Sequence, residues 1–469
     1  MTAPLLSLLH DVAVEEVIGD PTVPVSDVTQ DSRAVVAGAL YCCIAGRRVD
    51  GHDLAGTAVE AGARSLLVER ALPVAVPQVR VASTRAAVAP VAAAFFRHPS
   101  ARLPVIGVTG TNGKTTTVHL LAAVLGAAGR RTGVIGTLSG SLTTPEAPVL
   151  QRRLAEFADG GYGAVAMEVS SIALDQHRAD AIEFAVAVWT NLTQDHLDYH
   201  GDMEAYFRAK ASLFVPGRCR VAVVNADDPW GRRLRDRLAV PAVPYRLADA
   251  EDLDVGARRS TFRWRGAAVE LPLGGRHNVA NALAAATAAA SLGVEPAAIA
   301  AGLASAAPVP GRWEAVDAGQ PFTVIVDYAH TPDGLTQVLR AARGAAGGHR
   351  VTVVFGCGGD RDRAKRPQMA AVAATLADVA VLTSDNPRSE DPLAIIREAA
   401  GGAPEGAALV IEPDRRQAIA FAVAQAAPGD IVVVAGKGHE TGQVVGDRVL
   451  PFDDREVARD ALLEAAARW

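Results

Sequence analysis

The stretch from Leu103 to Leu121, LPVIGVTGTNGKTTTVHLL, constrains this chain more than any other. Pro104 opens it, and Val105, Ile106 and Val108 form the short apolar run of a buried parallel strand. Gly110-Thr111-Asn112-Gly113-Lys114-Thr115-Thr116 follows, and then Val118, Leu120, Leu121 and Val124 recur at helical spacing up to Gly126. The order is strand, glycine-rich loop, helix. Such a loop turns its N–H groups around a phosphate, and the helix adds the positive end of its dipole. Lys114 supplies a point charge for the β- and γ-phosphates of a nucleotide, and Thr115 offers a hydroxyl to Mg²⁺. The common form of the loop has glycine where Val108 stands; here Gly107 and Gly110 flank that position, so the loop is a variant. A plain glycine turn is the competing reading, and the Gly-Lys-Thr-Thr run in this setting disfavours it.

The 469 residues are enough for two to four domains, and 49% hydrophobic with 21% charged residues is a globular composition. A net charge of −6 gives no reason to expect nucleic acid or an acidic membrane as a partner. No apolar run has the length of a membrane span, and no basic region precedes the N-terminal leucines. The four cysteines lack a CxxC pair, and the adjacent Cys42 and Cys43 would point to opposite faces of a strand. They read as reduced, mostly buried thiols of a cytoplasmic protein.

Residues 1–102 have room for a small α/β domain, with strands expected at Ala39–Ile44, Ser65–Val68 and Val79–Val81 and helices at Leu54–Ala61 and Arg85–Phe96. Asp31-Ser32-Arg33 precedes the first of these strands, and Gly46-Arg47-Arg48-Val49-Asp50-Gly51-His52 follows it. The second run either holds a diphosphate or is a solvated turn. Residues 103–311 alternate strands and helices, as a doubly wound sheet does, with strands expected at Val134–Thr137, Ala164–Val169, Ala185–Trp189 and Val221–Val224. Their carboxyl ends carry Glu168-Val169-Ser170-Ser171, Thr190-Asn191-Leu192 and Asn225-Ala226-Asp227-Asp228, where ligands of parallel sheets bind. Asp195-His196 lies beyond them, and His277 and Asn278 open an alanine-rich helix. Pro308-Val309-Pro310-Gly311-Arg312 is the clearest linker.

Residues 312–469 repeat this grammar. Expected strands Thr323–Val326, Arg350–Phe355, Val379–Thr383 and Ile431–Ala435 end in Asp327-Tyr328-Ala329-His330, in the loop holding Arg361, in Asp385-Asn386-Pro387-Arg388 and in Gly436-Lys437-Gly438-His439-Glu440. Charged loops at every strand end form one site rim. For phosphoryl transfer, Glu168 can hold Mg²⁺ directly or through water. His196 is either a further ligand or a structural partner of Asp195. Lys210, among Arg208, Ala209 and Ala211 on an expected helix, reads by itself as a solvated side chain.

The chain resembles the Mur ligase family from end to end. The matching runs are Gly110–Thr116, Glu168–Ser171, Asn191–Asp198, His277–Asn281 and Asp327–His330. Within the family it is similar to the branch that adds diaminopimelate to a UDP-linked muramoyl dipeptide, whose recognition motif Asp385-Asn386-Pro387-Arg388 matches. The resemblance implies an α/β protein of three domains: a UDP-binding domain, a central P-loop doubly wound ATPase and a C-terminal Rossmann-like domain. It implies ATP and Mg²⁺, phosphorylation of the D-glutamyl γ-carboxylate, and attack on the acyl phosphate by the amine of meso-2,6-diaminopimelate in cytoplasmic peptidoglycan precursor synthesis. LL-diaminopimelate, L-lysine or L-ornithine as the added amino acid, and a folylpolyglutamate synthetase-like reaction, are the alternatives; the sequence before the loop speaks against the last. A GTPase-type switch would need an Asn-Lys-x-Asp run, which is missing.

By the same resemblance Lys114, Glu168, His196 and a carbamylated Lys210 are catalytic, and Thr115, Glu168 and Lys210 hold the metal. Gly110 to Thr116, Asn278, Arg312 and Asp327 contact the nucleotide. Ser32 and Arg47-Arg48-Val49 contact the UDP moiety, and Thr143, Thr144, Ser170, Gln176 and Arg178 the muramoyl peptide. Arg361, Asp385, Asn386, Pro387, Arg388, Gly436 and Glu440 receive the amino acid, whose far carboxylate the arginines pair and whose ammonium the acceptors bind. The implied partners are small molecules only, and the implied enzyme is a monomer. Gln30 and Ile172 depart from residues common in the family, outside the phosphate chemistry.

Overall fold

The computed structural model describes residues 2–46 and 49–466. Three larger sheets follow one another along the chain. In the first, strands run in the order Val14–Ile18, Gln78–Val81, Ser65–Val68, Ala39–Cys42, Asp27–Thr29, all parallel except Val14–Ile18 at the edge. That edge strand and Asp27–Thr29 escape the sequence reading. Val-Glu-Glu-Val-Ile puts two adjacent glutamates on an edge, where Glu15 and Glu16 pair with Arg80 at 2.9 and 3.1 Å, so it lacks alternation. The expected helix at Leu54–Ala61 is a 3₁₀ turn, Gly51–Leu54, leading into Ala55–Glu60. The four cysteines are free and buried, and Cys42 and Cys43 enter separate apolar clusters, as strand geometry requires.

The central sheet is parallel throughout, in the order Ala242–Tyr245, Ala222–Asn225, Val186–Trp189, Val105–Thr109, Ala164–Glu168, Thr132–Ile135. Apolar clusters cover both faces, which is why its strands are continuously hydrophobic. Val105–Thr109 sits at its middle, between strands that come later in the chain, so the chain turns there at the topological switch point and its carboxyl end opens a crevice. The helix Lys114–Ala127 packs on the alanine-rich Arg276–Ser291 and on Pro296–Ala304. Small residues permit this approach: a Cβ on Gly302 would collide with the backbone of Val124. A three-stranded antiparallel sheet, Glu251–Val255, Ser260–Trp264 and Ala267–Leu271, follows the last parallel strand and was not foreseen.

The third sheet runs Glu314–Val316, Thr323–Asp327, Ile431–Ala435, Val351–Cys357, Val379–Ser384, Leu409–Ile411, with only its first strand antiparallel. The four strands expected here are present. A hairpin, Gly442–Val445 with Arg448–Pro451, is added after the last of them. The 308–312 segment is pinned rather than loose. Val309 is buried, and Gly311, at φ +64°, lies so close to Gly438 and His439 that any Cβ would clash. No helix among the described residues is long and apolar enough to cross a membrane.

Candidate active site

The phosphate loop is shaped by two glycines. Gly110 has φ +152° and touches Thr190 and Asn191, and Gly113 has φ +85° and abuts the Asn281 side chain, so a Cβ at either would collide. Thr111 N donates to Asn191 O at 2.9 Å and Asn112 N to Asn191 Oδ1 at 2.9 Å, tying the loop to the neighbouring strand end. Lys114 curls back, its Nζ donating to the carbonyls of Gly110 at 2.8 Å and Thr111 at 2.9 Å. Burial pulls its pKa below the usual lysine value, while Glu168 and Asp195 oppose that.

Thr115 Oγ1 donates to Glu168 Oε2 at 3.0 Å and accepts from Arg312 Nη2 at 3.3 Å. Glu168, 1% exposed, also accepts from Thr137 N at 2.8 Å. Arg312 reaches over from the third sheet's region, its guanidinium 4.2 Å above the Tyr328 ring. Asp327 accepts from the amides of Trp313 at 2.7 Å and Ala329 at 2.8 Å, and burial raises its carboxyl pKa. Asn278, in the first turn of Arg276–Ser291, donates from its side-chain amide to Gly274 O at 2.8 Å. These groups surround a cavity of about 230 Å³ whose walls include Thr111 to Thr116, Thr143, Ser170, Asp195 and His196.

Lys210 corrects the solvated reading made from its neighbours. It is 1% exposed, its Nζ donates to Gly110 O at 2.9 Å, and it lies 4.7 Å from the Tyr206 ring centre. Burial first, and the charge of Lys114 second, push its pKa well below the usual lysine range. His196 adopts φ +52° beside Asp195, with 3.5 Å between Nε2 and Oδ2. Burial lowers its pKa to about 4, so the ring is neutral at pH 7. Asp195 is joined to Lys365 of the third sheet's region at 2.5 Å.

Beside the cavity, Thr144 Oγ1 donates to Glu168 O at 2.9 Å and accepts from Ser170 N at 3.0 Å. Arg178 donates to Thr144 O at 3.0 Å and Gln176 Oε1 at 2.6 Å and pairs with Glu146 at 2.9 Å. Gln30 of the first sheet donates to Glu146 at 3.0 Å, so its departure from the family leaves it a contact. A second cavity, about 710 Å³, opens between Gln30, Asp31, Arg33, Glu146 and Arg152. Ser32 starts the 3₁₀ turn Ser32–Ala34 at its edge. Val49 is exposed and closes a turn with Gly46, and Arg47 and Arg48 lie outside the described residues.

The third group gathers at the ends of Val379–Ser384 and Ile431–Ala435. Asp385, Asn386 and Pro387 are buried, and Arg388 sits at φ +53°, its Nη1 donating to Gly359 O at 2.6 Å. Arg361 is exposed and flanks Gly358 together with Arg388. Gly436 lies against the Asp385 carboxylate, and Glu440 accepts from Asn386 Nδ2 at 2.8 Å. Tyr328 joins this group to the cavity at the glycine-rich loop, which it lines, its ring 5.1 Å from that of His439. Sequence reasoning missed two bridges between the sheets: Lys365, and Asp333, whose Oδ2 accepts from Asn112 at 3.0 Å, Thr193 at 3.0 Å and Gln337 at 2.7 Å. Asp333 stands one residue into a helix after Thr331-Pro332, a cap signal without a hint of its partner.

A phosphate loop facing the strand-end loops of a second parallel sheet defines a P-loop enzyme with the layout of an ATP-dependent ligase. The family descriptions "Mur ligase family, catalytic domain", "Mur ligase middle domain" and "Mur ligase, glutamate ligase domain" match residues 24–107, 108–289 and 311–438. The chain belongs to the Mur ligase family. It is 48% identical to the UDP-N-acetylmuramoyl-L-alanyl-D-glutamate--2,6-diaminopimelate ligase of Geobacillus thermodenitrificans, covering 92% of this chain and 94% of that one. The Streptomyces coelicolor ligase of the same name is 46% identical, covering 94% and 93%. A solved structure of a ligase of that name superposes with TM-score 0.69 at 33% identity over 100% of both chains. MurF from Acinetobacter baumannii shares the fold, with TM-score 0.70 at 22% identity over 93% of this chain and 95% of that one.

Proposed function

We propose that this chain joins meso-2,6-diaminopimelate to the D-glutamyl γ-carboxylate of UDP-N-acetylmuramoyl-L-alanyl-D-glutamate, using ATP. The observation that carries the reading is the Asp385–Arg388 loop beside a P-loop cavity, in a chain 48% identical to a relative of that activity. A carboxylate is a poor electrophile until it carries a leaving group. One carboxylate oxygen attacks the γ-phosphorus and ADP leaves. The amine then attacks the acyl phosphate, and the tetrahedral intermediate expels phosphate to give the amide. Lys114 leaves the Gly110 and Thr111 carbonyls for the phosphates, while the loop amides and Arg312 hold the transferring group. Thr144, Ser170 and Arg178 orient the muramoyl peptide, and Ser32 with Arg47, Arg48 and Val49 holds the uridine end.

Thr115 and Glu168 bring two hard oxygen donors together at 3.0 Å, a set that fits Mg²⁺, which keeps its other positions for water and phosphate. Bound there, Mg²⁺ would neutralise charge on the phosphate oxygens. Lys210, whose pKa burial draws well below the usual lysine range, is suited to take up CO₂ as a carbamate and so to add a third oxygen donor. Residues 1–102, 103–311 and 312–469 are the proposed UDP-binding, ATPase and amino-acid-binding domains. The same reading takes the enzyme as a monomer acting on a nucleotide-linked substrate in the cytoplasm.

The test is ADP release by purified protein with ATP, the UDP-dipeptide and one candidate amino acid at a time. Turnover that needs both the UDP-dipeptide and diaminopimelate is expected. Turnover without the UDP-dipeptide, or equal use of L-lysine, contradicts the reading.

A further inference from the structure

Lys437 is a fully buried lysine that the mechanism above does not use. It follows the strand Ile431–Ala435, and an ammonium has three hydrogens to place. They go to Gly442 O at 2.6 Å, Glu440 Oε2 at 3.1 Å and Asn386 Oδ1 at 3.3 Å. Val444 N donates to the same Asn386 oxygen at 2.9 Å, and Asn386 Nδ2 donates to Glu440 Oε2 at 2.8 Å. The orientation of the Asn386 amide is therefore fixed by two donors on its oxygen. Glu440 Oε2 accepts twice, the side chain is still 32% exposed, and neither of these bonds uses its Oε1.

We propose that Lys437 is a positioning residue for the added amino acid, locking Asn386 and Glu440 so that a single carboxylate oxygen, Glu440 Oε1, meets the ligand's ammonium group. The proposal rests on the reading that the Asp385–Arg388 loop receives that amino acid. A buried ion pair gives little net stability once desolvation is set against attraction, so what Lys437 supplies is direction. Arg388 and Arg361 address a carboxylate on one side, and the locked Glu440 addresses an ammonium on the other. An amino acid carrying both groups at its far end is thereby told apart from one carrying a single group.

The experiment is a double-mutant cycle on the full chain with Lys437→Met, Glu440→Gln and the double variant, measuring kcat and KM for diaminopimelate and for ATP. Lys437→Met should raise KM for diaminopimelate by roughly tenfold or more while KM for ATP changes by less than about threefold. The double variant should be no worse than Glu440→Gln alone, because Lys437 acts through Glu440. Additive effects of the two changes, or a parallel rise in both KM values with a fall in kcat, would overturn the proposal. If Lys437→Met does not fold by circular dichroism, Lys437→Gln, which keeps a donor, is put through the same cycle and judged by the same outcomes. A wild type that ignores diaminopimelate refutes the function proposed above, and the cycle is then run with the amino acid it accepts, where additivity still refutes the role of Lys437.

Discussion

The ammonium nitrogens of Lys114 and Lys210 both donate to one acceptor, the carbonyl oxygen of Gly110, at 2.8 and 2.9 Å. Two cations on one oxygen in a buried site repel, and the pKa of the more buried one is lowered further. Glu168 and Asp195 sustain the charge on Lys114, whereas Lys210 has burial and Lys114 against it and only Asp195 in its favour. Both pKa values are drawn down, and that of Lys210 further than that of Lys114.

The lowered pKa of the buried Lys210 amine leads to the first prediction. Lys210→Ala should lower turnover by on the order of a hundredfold or more and regain part of it with formate or acetate, which stand in for a carbamate. Intact mass of active wild type should show the CO₂ adduct; active enzyme carrying only unmodified Lys210 would remove the residue from this role.

Gly110→Ala should damage the loop itself. The residue sits at φ +152° against Thr190 and Asn191, so the added methyl meets strain of about 1–3 kcal/mol as well as a clash. A lower melting temperature and loss of ATP binding are expected together; calorimetry giving wild-type values for both would show that the loop relaxes freely.

Arg388→Ala should lose addition of diaminopimelate while ATP and UDP-dipeptide still bind. The backbone at φ +53° is clamped by its N–H to Val444 O at 3.0 Å and its carbonyl to Gly446 N at 2.7 Å, and Nη1 is held by Gly359 O at 2.6 Å, which aims the guanidinium. Leaving a ligand carboxylate unpaired costs about 2–5 kcal/mol, or roughly 30- to several-thousand-fold. Kinetics of both proteins with meso- and LL-diaminopimelate, L-lysine and L-ornithine decide it; a wild type using lysine as well as meso-diaminopimelate would show that Arg388 does not select.

Stability should fall as pH drops from 6.5 towards about 4. Burial lowers the His277 pKa from 6.5 to about 4, so within that window the unfolded chain binds the proton and the folded chain does not. Asp195 is held below 3.8 and acts only at lower pH, whereas the raised carboxyls of Asp228, Asp327 and Asp333 push the other way. His277→Phe, which can keep the packing on Trp313, should therefore flatten the loss, by on the order of 1–3 kcal/mol between about pH 6.5 and pH 4. Urea midpoints of both proteins across this range measure it, and an unchanged slope would mean that His277 is protonated in the folded state.

What the sequence by itself determined is local and periodic. The strand–loop–helix order around Lys114, the apolar strands of the second and third sheets, and the polar residues at their carboxyl ends are set by neighbours a few positions apart, so spacing alone reveals them. The edge strand Val14–Ile18 was hidden because its pairing partner, not alternation of its own, makes it a strand, whereas Ser260–Trp264 and Ala267–Leu271 alternate buried and exposed side chains and were legible in the sequence. Tertiary structure alone decided the state of Lys210, since its helix neighbours describe a solvated face and only the Gly110 carbonyl and the Tyr206 ring take it out of water. It also decided that Asp333 and Lys365 reach across to Asn112, Thr193 and Asp195, and that Lys437 turns inward to fix Glu440. A side chain's charge and aim depend on which atoms from distant parts of the chain surround it, and that proximity exists only once the sheets have packed.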